Sequence, residues 1–103
     1  MTPLKIYDTA EEALSILGFQ IDDGAEGEEI MDTMRMHATT LGVKVPDNVL
    51  ASISVASMDD QNPDGWRALI KAAADGKQIA FDSDGEFTID GVQYDRSAGR
   101  TAA

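Results

Sequence analysis

The sequence predicts an α+β fold in which three or four short helices pack with a small C-terminal antiparallel β-hairpin or meander. Apolar residues recur at helical spacing over most of the chain, in segments most of which begin near Asp or Pro and most of which end at Gly. The last quarter instead holds short strand-like segments separated by Asp-Gly pairs, which are typical of hairpins. Hydrophobic residues make up 43% of the 103 residues, which predicts a folded core, and the absence of cysteine excludes disulfides.

A strand and a helix are predicted at the start of the chain. Apolar residues alternate with Lys and Tyr over residues 4–7, which favours a short strand that can join the sheet. Asp8 is suited to cap a helix over about residues 9–17, with Glu11 as its capping-box partner. Gly18 is a suitable stop for this first helix.

Two further helices are predicted in the middle of the chain. Apolar residues spaced by three and four predict a second helix over about residues 26–41, which Gly42 ends. Residues 48–58 fit either a helix or a strand, because several apolar residues alternate with serines. The Pro46-Asp47 start, in which Asp47 is suited to cap a helix, favours the helix.

A fourth helix and the sheet complete the predicted fold. Pro63 suits the first turn of the helix, which stops at Asp75-Gly76. Strands are predicted over residues 78–81, 86–89 and 92–94, with Asp-Gly turns between them. We expect one compact domain over residues 1–96 and a flexible C-terminal tail over residues 97–103.

The distribution of charge is the main indication of function. The formal net charge is −11, and no Lys or Arg occurs from residue 6 to 34 or from residue 78 to 95. Helix starts and Asp-Gly turns account for many of the acids, but they do not account for the missing bases. Such a surface repels phosphate and anionic membranes and attracts a basic protein surface. The candidate partner-binding residues are Asp22, Asp23, Glu26, Glu28, Glu29 and Asp32.

No residue pattern indicates an enzyme or a cofactor. The sequence has no G-x-S-x-G nucleophile motif and no glycine-rich phosphate-binding motif. His37 is the only histidine, and we expect it to pack near the end of the second helix, where the helix dipole favours its charged form. Trp66 is expected to anchor the core with its indole N–H bonded to an acceptor, and Met36 lies off the apolar stripe.

Calcium binding is a third hypothesis. The segment Asp60–Gly65 matches the first half of an EF-hand loop, but Lys71 stands at the position that requires a bidentate Glu. Helix capping and turn formation are therefore the favoured interpretation of this loop. The segment Asp82–Gly85 is interpreted as a hairpin turn.

The stretch from Trp66 to Asp90 resembles a segment of phage tail-fibre assembly proteins. The resemblance lies in Leu69-Ile70, Gly76-Lys77, Ile79 and Asp84-Gly85, covers about a quarter of the chain, and implies a phage or mobile-element origin. No apolar run reaches the length of a signal peptide or a membrane helix, so we expect a cytoplasmic protein.

These observations lead to two main hypotheses for function. In the first, a small, acidic, non-enzymatic protein imitates nucleic acid and occludes a basic surface of a nucleic-acid-handling protein, as anti-CRISPR inhibitors of host defence do. In the second, the protein is a phage assembly or structural accessory protein, and its charge serves solubility.

Overall fold

Four helices lie between the first strand and the last four strands of a five-stranded sheet in the computed structural model, which describes residues 2–20, 24–57, 63–83, 86–95 and 97–101. In chain order the elements are β1 (Thr2–Pro3), α1 (Ala10–Ser15), α2 (Glu26–Leu41), α3 (Asp47–Ala56), α4 (Pro63–Ala74), β2 (Ile79–Phe81), β3 (Phe87–Ile89), β4 (Val92–Asp95) and β5 (Arg100–Thr101). The predicted α+β fold is confirmed.

Helix α3 is the centre of the helical layer, because it contacts each of the other three helices. Its buried residues are Leu50, Ala51, Ser52, Ile53 and Ser54. The segment that fitted either a helix or a strand is thus a helix, and its serines lie in the interior rather than on a solvated strand face. A helix surrounded by neighbours buries residues on most of its circumference, which removes the clear 3.6-residue pattern.

The serines of α3 connect this helix to its surroundings. Ser52 Oγ donates to the carbonyl one turn earlier (2.6 Å) and accepts the backbone N–H of Tyr7 (3.0 Å), while Asn48 Nδ2 donates to the carbonyl of Tyr7 (2.9 Å). Ser57 Oγ, at the end of the helix, likewise donates to a carbonyl one turn earlier (2.7 Å) and accepts the indole N–H of Trp66 (2.8 Å). The expected acceptor for the Trp66 indole is therefore found.

Two predicted helix caps are wrong. The N-cap of α1 is Thr9, which has an extended backbone and whose Oγ1 accepts the N–H of Glu12 (3.0 Å), so the cap lies one residue after Asp8. Pro46 occupies the N-cap position of α3 with an extended backbone and provides no side-chain bond. Asp47 is consequently the first residue of the helix, and its carboxylate is available for another partner.

The second helix has the predicted bounds and the predicted end. Gly42 follows α2 with a φ of 71°, a left-handed conformation that glycine adopts without steric cost. The N–H of Val43 then bonds to the carbonyl of Ala38 (3.0 Å), which satisfies one of the last carbonyls of the helix.

The strands form one antiparallel sheet in the order β1-β2-β3-β4-β5. Phe87 stacks on Tyr94 across β3 and β4 with 4.7 Å between ring centroids, and it meets Phe81 of β2 at 5.8 Å. The same core cluster also holds Leu69 and Ile70 of α4, so the sheet buries one face against the helices. The predicted Asp90-Gly91 turn joins β3 to β4 with positive φ at both residues.

The two edges of the sheet differ from the sequence expectation. The first strand is Thr2–Pro3 rather than residues 4–7, because Tyr7 is bonded to α3 instead of to the sheet. At the other edge, Arg100–Thr101 pairs with β4 within the segment that was expected to be a flexible tail. The carboxylate of Asp95 accepts the N–H of Ser97 (2.9 Å), which forms the turn that brings the chain back.

The bond between Tyr7 and α3 predicts the effect of Ser52→Ala. This change leaves the N–H of Tyr7 without its acceptor, so the free energy of unfolding should fall by about 1–2 kcal/mol. Urea unfolding of the two proteins measures the difference. Ser15→Ala is the control, because Ser15 is exposed and its hydroxyl bonds only to its own helix; its effect should stay within about 0.5 kcal/mol. Equal losses in both variants would contradict the role given to Ser52.

Candidate functional site

The acidic residues of α2 form two pairs. Glu26 and Glu29 are three residues apart, and Glu28 and Asp32 are four apart, so the members of each pair lie on one face of the helix. The two pairs have different surroundings, and the structure gives them different roles.

Glu28 and Asp32 are bound by a single arginine. Arg35 Nη1 lies 3.1 Å from Glu28 Oε1 and 3.2 Å from Asp32 Oδ1. The other side of the guanidinium donates two bonds to Asp47, from Nε (3.2 Å) and from Nη2 (2.9 Å). These four residues form the Arg35 network, which fastens α2 to the start of α3 and removes the repulsion between Glu28 and Asp32.

The contact between Arg35 and Asp47 shifts the pKa of both groups. The hydrogen bonds from Arg35 hold the pKa of the Asp47 carboxyl below its ordinary value, and the same bonds raise the pKa of Arg35. The side chains are between 31% and 69% exposed, so solvent screens the pairs and limits their contribution to stability.

Glu26 and Glu29 border an open cleft of about 290 Å³, which we call the α2 cleft. Its lining residues are Phe19, Glu26, Glu29, Ile30, Thr33, Ser54 and Trp66. The cleft therefore combines an apolar interior with two carboxylates, and three helices and the segment after α1 contribute to it. Within the described part of the chain, neither carboxylate forms an ion pair.

The side chain of Trp66, which lines the α2 cleft, is fixed by contacts with Ser57 and His37. The Trp66 indole N–H donates to Ser57, and its ring meets the His37 ring edge-on, with 6.0 Å between the centroids. Arg67 Nε donates to His37 Nδ1 at 3.3 Å. These contacts fix the position of the aromatic wall of the cleft.

The charged form expected for His37 is wrong, although the expected packing near the end of α2 is found. His37 is only 5% exposed, and both burial and the nearby Arg67 guanidinium lower the pKa of its imidazole. Because Nδ1 accepts a hydrogen bond from a cation, the neutral ring is the form that fits this position.

The candidate partner-binding residues are therefore distributed over several places. Glu26 and Glu29 border the α2 cleft, and Glu28 and Asp32 belong to the Arg35 network. Asp22 and Asp23 lie outside the described residues. A role of these six residues in partner binding stays a prediction.

The acids of the second base-free stretch bond mainly to backbone groups. Asp90 Oδ1 accepts the N–H of Gln78 (2.8 Å), Asp82 Oδ1 accepts the N–H of Glu86 (3.0 Å), and Asp95 shapes the turn before β5. These bonds give Asp82, Asp90 and Asp95 a role in local structure. The absence of bases from residues 78–95 consequently supports a binding surface less than the absence from residues 6–34 does.

The part of the chain that the structure describes adds no support for metal binding or membrane insertion. Among the described residues, no group of three or more His, Asp or Glu side chains is placed to hold a metal ion. Half of the EF-hand-like segment, residues 60–62, lies outside the described part of the chain, and its later residues begin α4. None of the described helices is long and apolar enough to cross a membrane.

Sequence reasoning missed two parts of the site. Phe19 was assigned to a connector, although it lines the α2 cleft. The importance of Arg35 was also missed, although its spacing of three residues from Asp32 and seven from Glu28 places it on their face of the helix. Met36, by contrast, is exposed, as its position off the apolar stripe suggested.

Comparison with known proteins gives no matching family model, no matching curated protein and no matching solved structure. The residues of the α2 cleft and of the Arg35 network thus have to be interpreted from their own chemistry.

The Arg35 network predicts that Arg35→Gln is destabilising. The change leaves three carboxylates close together without their cation, and partial exposure limits the expected loss to about 1 kcal/mol. The loss should shrink at high salt, which screens the remaining repulsion. Urea unfolding at two salt concentrations measures both effects.

Lys44→Gln is the matched control for Arg35→Gln. Lys44 is exposed and forms no ion pair within the described ranges, so the same charge is removed without breaking the network. A control as destabilising as Arg35→Gln would mean that total charge, rather than the Arg35 network, sets the stability.

The environment of His37 predicts a pH dependence of stability. Its folded-state pKa lies below the ordinary 6.5, so the unfolded chain binds more protons in the window between the two values. The free energy of unfolding should therefore have its full value above about pH 6.5 and decrease as the pH falls through this window.

An NMR titration of the single imidazole and urea unfolding against pH test this prediction. His37→Gln should flatten the decrease just below pH 6.5. A folded-state pKa at or above 6.5 would contradict the account of His37.

Proposed function

We propose that this protein is a small acidic interaction protein that binds and occludes a basic surface of a nucleic-acid-handling protein. The proposal rests on the ion pairing of the carboxylates in the first base-free region, residues 6–34. Seven of its nine carboxylates are described, and only Glu28 and Asp32 form an ion pair within the described part of the chain. The other five are Asp8, Glu11, Glu12, Glu26 and Glu29.

Unpaired carboxylates support binding to a basic partner for two reasons. They give the surface a negative potential that steers a basic partner toward it, and binding would break no ion pair between them and another described residue. Sites that bind phosphates are built from Arg and Lys, and carboxylates on a rigid scaffold can occupy such sites in place of a nucleic acid. Occlusion of the partner's nucleic-acid site is the mechanism that we propose.

The proposal assigns no catalytic step and no cofactor to this chain. Asp82, Asp90 and Asp95 of the C-terminal region accept bonds from backbone N–H groups, and His37 accepts a bond from Arg67. The size and charge of this chain resemble those of small acidic phage- or mobile-element-encoded inhibitors of host defence, such as anti-CRISPR proteins, and the activity that we propose is of that kind. A cytoplasmic site of action belongs to the same proposal.

Capture from a nuclease-treated bacterial lysate tests the proposed function. The wild-type protein should retain nucleic-acid-binding proteins at about 0.05 M salt and release them at about 0.5 M, because screening weakens exposed charge pairs. A retained protein, once purified, should lose binding to its labelled nucleic acid when this protein is added.

A pair of variants locates the binding surface. Glu26→Gln with Glu29→Gln makes the net charge two units less negative and should reduce retention, whereas charge reversal at Glu28 or Asp32 would also disrupt the Arg35 network. Gln93→Lys with Ser97→Lys causes the same change in net charge at exposed positions in and after β4 and should retain partners as the wild type does. Equal retention by both variants, or a partner that still binds nucleic acid, would contradict the proposal.

A further inference from the structure

The α2 cleft has the composition of a pocket for one side chain. Its volume of about 290 Å³ is at the lower limit of small-molecule sites, which are about 300–1,000 Å³. The aromatic rings of Phe19 and Trp66 and the aliphatic Ile30 supply its apolar surface, while Glu26 and Glu29 supply the charge. An occupant therefore has to combine an apolar or planar body with a positive end.

The polar side chains of the α2 cleft are all hydrogen-bond acceptors toward an occupant. The hydroxyl of Ser54 already donates to the carbonyl of Ala51 (2.8 Å), and that of Thr33 donates to the carbonyl of Glu29 (3.0 Å). The indole N–H of Trp66 is likewise bonded to Ser57. With Glu26 and Glu29 ionised, these side chains can accept hydrogen bonds but have no free proton to donate.

A cleft whose polar side chains are all hydrogen-bond acceptors favours an occupant whose polar groups are all hydrogen-bond donors. Among protein side chains, arginine and lysine are donors without an acceptor, and both carry a positive charge. Arginine fits better, because its planar guanidinium stacks on aromatic rings and donates two parallel bonds to carboxylates. Lysine is a compact, strongly hydrated charge that would lose more of its hydration next to the rings.

We infer that the α2 cleft binds a single arginine side chain of the partner, with the guanidinium between the aromatic walls and the carboxylates of Glu26 and Glu29. This inference rests on the proposed function, since it names the group on the basic partner that this surface recognises. It makes the α2 cleft an anchor point for binding, and the other unpaired acids contribute to longer-range attraction.

Trp66 is the only tryptophan of the chain and lines the α2 cleft, so its fluorescence reports occupancy directly. The probes are three capped tripeptides with a central arginine, lysine or citrulline between glycines, titrated at constant ionic strength. The arginine peptide should change the fluorescence in a saturable way. The lysine peptide should bind more weakly, and citrulline, which has the shape of arginine without its charge, should cause no saturable change.

Two double variants with equal charge change test the role of the carboxylates. Glu26→Gln with Glu29→Gln should weaken binding of the arginine peptide about tenfold or more, because its charge-assisted bonds are lost. Gln93→Lys with Ser97→Lys makes the same two-unit change in net charge at exposed positions in and after β4 and should change binding less than twofold. Circular dichroism of each variant verifies that the fold is retained.

Several results would overturn the inference. They are the absence of a saturable response to arginine, citrulline binding equal to arginine binding, lysine binding tighter than arginine binding, and equal weakening by the two double variants. If the lysate experiment still yields an occluded nucleic-acid-binding partner while the arginine peptide does not bind, the inference fails and the proposed function stands. If the peptide binds as expected but no such partner is retained, the α2 cleft recognises arginine and the proposed function fails.

Discussion

The requirement to bury polar serines in a central helix shapes much of this structure. Helix α3 is surrounded by the other three helices, yet it carries Ser52, Ser54 and Ser57 at buried positions. A buried hydroxyl without a partner costs free energy, so each of the three donates to a carbonyl of its own helix. The oxygens of Ser52 and Ser57 then accept N–H groups from neighbouring segments. The polar groups inside the core thus specify where the neighbouring segments attach.

This arrangement also determines the geometry of the α2 cleft. Ser57 holds the indole of Trp66, Ser54 lines the cleft, and Asp47 at the start of the same helix binds the arginine that fixes α2. The walls of the cleft are consequently attached to α3 by bonds of defined direction. A pocket positioned in this way loses little conformational freedom when a ligand enters, which favours binding.

The sequence predicted the elements better than it predicted their connections. The bounds of α2 follow from its apolar stripe and Gly42, because local spacing and a left-handed stop are both visible in the chain. The helix of α3 was ambiguous, since a hydrophobic pattern does not show that serines can be buried when they bond to their own backbone. The strand at Arg100–Thr101 was missed for a similar reason, because two residues give no periodicity and pair only when the Asp95 turn returns the chain.

The candidate site could be predicted only in part for the same reason, because the sequence shows which residues are present but not which of them meet in space. The six acids were selected by an absence of bases along the sequence, which contains no information on which carboxylates meet Arg35 in space. That single residue, just beyond the base-free region, binds two of them and joins α2 to α3. The acids of α2 that form no ion pair among the described residues are only Glu26 and Glu29, whose exposed side chains lie beside the aromatic residues of the α2 cleft. A carboxylate beside an apolar wall interacts with a cation more strongly than one in open solvent, because less water screens the pair. The recognition capacity of this surface therefore depends on a few placed carboxylates more than on total charge.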